Sequence, residues 1–145
     1  MIANRNTTVP ALKTVGEIQA MLAGIRADAI VMQYESGEPS AIGFKLTRDD
    51  HSISFQLPSN WQGILQALKR DKSIPKRLLT ADQAKRVSWR VIRDWLRAQL
   101  SLIEAGAATI EEVMLPWAIT SDGTTVASRI FSGQTGLLTM NTGDH

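Results

Sequence analysis

Four arginines, Arg86, Arg90, Arg93 and Arg97, recur at spacings of four, three and four. On a helix turning about 100° per residue they fall within an arc of about 60°. Arginine at all four places suits planar, two-pronged contacts with phosphate or carboxylate. Like charges one turn apart repel by roughly a few tenths of a kcal/mol per pair, so the stripe calls for a counter-charge. Trp89 lies at its edge, one turn from Arg86 and Arg93, where an indole could stack on a base. Lys76 and Arg77 add two cations just before the helix. Together these seven residues imply a groove for nucleic acid or for nucleotide phosphates. The competing reading weighs more: a solvated face, or arginines bridging to acids such as Glu111 and Glu112 within the fold or an oligomer.

No other constellation carries chemistry. His51 falls in a turn and His145 is the last residue, and neither has the neighbours a general base needs. Asp49 and Asp50 are adjacent turn residues, which makes a poor metal site. No phosphate-binding glycine loop, paired metal-ligand motif or nucleophile elbow occurs. The expectation is a non-catalytic protein with no cofactor and no metal.

The elements that must position the stripe can be read from periodicity and caps. Residues 80–105 form one long amphipathic helix with Thr80 as its cap, Gln83 as the reciprocal partner and Gly106 at its end. Val91, Ile92, Trp95, Leu96, Leu102 and Ile103 make the apolar face. Thr14 with Glu17, Ser59 with Gln62, and Thr109 with Glu112 give three further capping boxes. The first opens a helix that Gly24 ends with a left-handed cap; the third opens a short helix that Pro116 stops. Between the first two lie three strand-like runs, 29–34, 41–46 and 52–57. Ile42, Phe44 and Leu46 alternate onto one face, as do Ile53, Phe55 and Leu57. Short connections make them an antiparallel meander. Ser121-Asp122-Gly123-Thr124 is a tight turn between Trp117-Ala118-Ile119 and Thr125-Val126-Ala127, which predicts a C-terminal hairpin.

The fold class is therefore α+β: a three-stranded antiparallel meander against a long amphipathic helix, with shorter flanking helices and the hairpin. A mobile arm at 1–12, one domain at 13–131 and a Gly/Thr-rich tail at 132–145 complete the organisation. The four tryptophans are expected to help cover the apolar face of the sheet.

Charge is distributed unevenly. Residues 69–97 hold ten basic and three acidic side chains, net +7, while the rest carries −5. This places a positive field on an otherwise acidic protein. No apolar run nears the roughly 20 residues that span a bilayer. With no cysteine, disulfides and thiolate chemistry are excluded. Without a leader-like N-terminus, the default location is the cytoplasm.

The run from Ala84 to Leu100, with its Trp89-Arg90, Asp94-Trp95 and Ala98-Gln99-Leu100 core, resembles a small uncharacterised protein family of phages and prophages. Ile103 to Gly106, Glu111 to Trp117 and Asp122-Gly123-Thr124 are similar too, as is the N-terminal helix and meander closing in Leu57-Pro58. The resemblance covers about 15–130. It implies a phage context, hence a host bacterium's cytoplasm, and no catalytic residues. Two functions follow as expectations. One is an accessory protein that binds nucleic acid or nucleotide phosphates through the arginine-striped helix. The other is a counter-defence protein that blocks a host immune component or sequesters a nucleotide signal. A homo-oligomer is expected in either case.

Overall fold

The computed structural model describes residues 1–132. The chain is α+β, with a three-stranded antiparallel sheet in the order β1 (Ala29–Glu35), β2 (Glu38–Arg48), β3 (His51–Pro58). Ser36 and Gly37 both have positive φ and form the whole β1–β2 turn, as a two-residue hairpin of type I′ requires. Opposite Phe44 stand Ile30 and Phe55, and opposite Ile42 stand Met32 and Leu57. The expected alternation thus places one apolar face, with the Phe44 and Phe55 rings stacked at 5.1 Å.

That face is covered by α1 (Ala11–Gly24) and α3 (Ala81–Glu104), whose Val15, Ile18, Leu22, Trp89 and Leu96 join the sheet residues in one core. α3 lies between α1 and α2 (Trp61–Arg70) and packs most extensively against these two. A second, smaller core of Leu68, Ile74 and Leu78 sits under the linker, with Ile2 packed against it. The long helix begins at the Thr80 cap and ends with Gly106 at φ +78. The Ala107 amide reaches back to the Leu102 carbonyl at 2.9 Å, a Schellman closure.

Several local expectations are corrected. α1 starts at Ala11 after Pro10, with no side-chain cap. Thr14 is a fully buried residue inside α1, and Glu17 reaches α3 instead of its own helix end. Gly24 does not supply the left-handed residue; Arg26, at φ +63, does. α2 is capped by Asn60, because Ser59 is buried and pairs with Ser88 at 2.7 Å. Among the described residues only Thr109 and Glu112, opening α4 (Ile110–Met114), complete a reciprocal capping box. The expected C-terminal hairpin shrinks to one bridge, Ile119 to Thr125, because Val126–Phe131 is helical (α5). Ile119 instead donates its amide to the Ser54 carbonyl at 2.8 Å, covering part of the β3 edge.

The N-terminal arm, expected to be mobile, is docked along α3. Asn4 donates to Asp94 at 2.8 Å, and Arg5 pairs with Asp71 at 3.3 Å. The Gly/Thr-rich tail beyond Ser132 lies outside the described residues.

Candidate nucleic-acid interface

The long helix divides its arginines into two groups. Arg90 and Arg93 turn towards α1. Arg90 donates to Glu17 at 2.5 Å and to Thr14 at 3.4 Å, and its side chain is only 15% exposed. Arg93 meets Asp94 at 3.0 Å and Glu17 at 3.5 Å, at 21% exposure. Their stems lie in the α1–α3 contact, and one carboxylate, Glu17, answers both. The repulsion along the stripe is relieved inside the fold, as the competing reading anticipated, though through Glu17 and not Glu111 or Glu112. Glu111 pairs with Arg48 at 3.2 Å, and Glu112 caps α4.

Arg86 and Arg97 behave differently. Arg86 is half-buried, and its Nε donates to Gln83 Oε1 at 3.1 Å. Arg97 is exposed and makes no ion pair among the described residues. Trp89 is corrected more sharply, for it is 0% exposed within the core. With no solvent-exposed surface, its ring offers a base no face to stack on. The indoles that do approach the surface are others. Trp61 lies under the Lys85 ammonium at 4.9 Å. Trp95 and Trp117 meet edge to face at 6.2 Å beside the core.

The exposed cations concentrate before α3. Lys69 and Arg70 end α2, Lys72 follows, and Lys76 and Arg77 sit on a 3-10 turn (Lys76–Leu78) after Pro75. All five are exposed, and none makes an ion pair among the described residues. Asp71, in their midst, is occupied. It accepts Ser73 Oγ at 2.6 Å, the Ser73 amide at 3.0 Å and Arg5. The Ser73 bonds, then Arg5, hold its carboxyl below the usual carboxylate range. Arg77 and Arg86 meet across a cleft of about 600 Å³ whose other wall is Asn6, Thr7 and Thr8 of the docked arm. The structure thus brings Arg77 and Arg86 together and sets Arg90, Arg93 and Trp89 apart from them.

Two residues that organise this surface were not singled out from sequence as site residues. Gln83 is buried, donates to the Arg5 carbonyl at 2.9 Å and the Thr7 carbonyl at 3.0 Å, and accepts from Arg86. Glu17 holds Arg90 and Arg93. Their spacing in the sequence suits capping partners, and only tertiary contact reveals their other task.

The arm's anchors make its docking pH-dependent. For Asp94, burial opposes ionisation, but bonds from Asn4 and Arg93 outweigh it and lower the pKa. Asp71 is lowered chiefly by its own Ser73 bonds, to which Arg5 of the arm adds a smaller pull. The part of these depressions that Asn4 and Arg5 supply favours docking above the ordinary value of 3.8, and that preference fades as pH falls from 3.8 through the docked-state values. Amide exchange over residues 1–9 should therefore accelerate as pH drops below about 4, after correction for intrinsic exchange rates. Unchanged protection down to about pH 2.5 would show that the contacts that do not titrate, the Gln83 bonds and the Ile2 packing, hold the arm.

Among the described residues no group of three or more His, Asp or Glu is placed to hold a metal ion, and no helix is long and apolar enough to cross a membrane. No family model matches the chain, and neither the curated proteins nor the solved structures give a match.

Proposed function

We propose that this is a non-catalytic accessory protein that binds nucleic acid through the exposed cations of residues 69–77 together with Arg86. One observation carries the reading. Lys69, Arg70, Lys72, Lys76 and Arg77 stand exposed without acidic partners among the described residues, while Asp71 in their midst is occupied by Ser73 and Arg5. Cations in this state attract a phosphate backbone, release its counterions and gain affinity that salt erodes. The centre of the interface therefore moves from the middle of α3 to its start and the preceding linker. Arg90 and Arg93 serve the fold. The phage context remains part of this reading, as the setting in which a small nucleic-acid-binding accessory protein acts.

Fluorescence anisotropy with labelled single-stranded DNA, duplex DNA and RNA tests it. Binding at about 50 mM salt should weaken by at least tenfold at about 200 mM, the mark of several phosphates contacted. If none of the three binds at the lower salt, the proposal is wrong. The counter-defence alternative would then be pursued through its nucleotide branch.

A further inference from the structure

We infer that the cleft between the docked arm and the start of α3 is a seat for a single phosphate group, of a nucleotide or a nucleic-acid chain, with Gln83 as its positioning residue. The inference deepens the reading above and rests on it for the nucleotide source of the phosphate. The seat itself stands on the geometry of four groups.

Arg86 is the first. Its Nε is engaged by Gln83 at 3.1 Å, while its Nη groups make no hydrogen bond or ion pair among the described residues. A guanidinium fixed at one edge presents its remaining donors as a planar fork, the form that meets two phosphate oxygens at once. Arg77 brings a second guanidinium to the same cleft, and no Asp or Glu lines it. The third group is the wall. Asn6, Thr7 and Thr8 add two hydroxyls and an amide side chain, and the volume of about 600 Å³ suits a nucleotide-sized occupant.

Gln83 ties these together. All of its side-chain hydrogen-bonding groups are engaged: Nε2 holds the Arg5 and Thr7 carbonyls, and Oε1 accepts from Arg86. It is 3% exposed, so water does not compete for it. One buried amide therefore sets both the arm wall and the direction of the arginine fork. This preorganisation separates the seat from the loose cations of the linker, which attract phosphate without fixing it. Lys85 and Asp82 lie on the other side of Arg86, in a neighbouring hollow under Glu38 and Pro39. Lys85 is held there by Glu38 and does not enter the seat.

The test uses the full chain and inorganic pyrophosphate, followed by NMR of the arginine Nε–H signals. Pyrophosphate should shift the Arg86 and Arg77 signals saturably and leave Arg90 unmoved. Arg86→Lys and Arg77→Lys keep the charge but lose the fork, and each should weaken pyrophosphate binding by about tenfold. Arg77 is exposed, so its variant reports even if the Arg86 variant unfolds. Gln83→Leu should weaken binding by a comparable factor and speed amide exchange in residues 5–8, a change that loss of charge alone would not cause. No saturable shift at about 20 mM pyrophosphate, or lysine variants that bind as the parent does, would overturn the seat.

Competition then names the source. Either ATP or 5′-phosphorylated oligo-dT should displace pyrophosphate; if neither does, the seat is not one for nucleotide phosphate. Failure of the two proposals is distinguishable. Pyrophosphate bound through Arg86, with no nucleic acid bound at any salt, keeps the seat and removes the nucleic-acid function. Nucleic acid bound equally by parent and lysine variants, with pyrophosphate unaffected, does the reverse.

Discussion

Trp89→Ala should lose about 3–5 kcal/mol of stability, the range for truncating a fully buried large aromatic. Trp89 is 0% exposed and packs in the core that joins α1, α3 and the sheet. Its removal opens a cavity that two helices and three strands would all have to shift to fill. For a chain of this size the loss is a large fraction of the total, so part of the population should unfold at room temperature. In urea the midpoint should fall by about 1–3 M at unchanged slope. Trp61→Ala is the matched control. Trp61 is only half-buried, and its clearest contact is the Lys85 ammonium, so it should lose about 1 kcal/mol or less. A Trp89→Ala protein that kept its midpoint but lost oligonucleotide binding would return the indole to the role of a stacking platform.

That reversal shows where one-dimensional reading fails. Residues 80–105 were legible as a helix because the apolar positions repeat at helical spacing and Thr80 caps the start. The meander was legible because Ile42, Phe44 and Leu46 alternate and their partners across β3 do the same. A helical wheel, however, gives directions and not neighbours. It places Trp89 at the margin of the arginine arc, and only the arrival of α1 on that side turns the margin into core. The same packing carries Glu17 to Arg90 and Arg93. Those two arginines occupy the arc that periodicity assigned them, but the arc is walled by another helix.

Capping chemistry misled for a related reason. Thr14, Ser59 and Gln83 are small or flexible polar residues near helix starts, which is where caps are sought. Each has a stronger claim elsewhere. Thr14 lies under Arg90, Ser59 pairs with Ser88 in a buried bond, and Gln83 bridges the arm to Arg86. Buried polar groups must find partners, and these partners are remote in sequence. The cluster of cations at 69–77 was visible as charge. That it stays exposed, while the α3 arginines are partly neutralised, was visible only once the ion pairs could be counted.

The division between the two cationic groups gives the second large effect. A variant with Lys69, Arg70, Lys72 and Lys76 all changed to Ala should bind single-stranded DNA on the order of a thousandfold more weakly at about 50 mM salt. Each phosphate contact contributes about 0.7 to the salt exponent on single strands, so four remove nearly three. All four side chains are exposed, so the variant should melt close to the parent. Arg90→Ala with Arg93→Ala should do the opposite. It leaves Glu17 without its two cations in the α1–α3 contact, and the melting temperature should fall. Affinity, measured where the double variant is still folded, should change by less than about threefold. Both variants remove cations from the 69–97 segment, so an account based on net charge ranks them only by the number removed. An account based on which cations are exposed predicts that one loses binding and the other loses stability. If the α3 pair loses affinity while the four-alanine linker keeps it, the interface belongs on the middle of the helix after all.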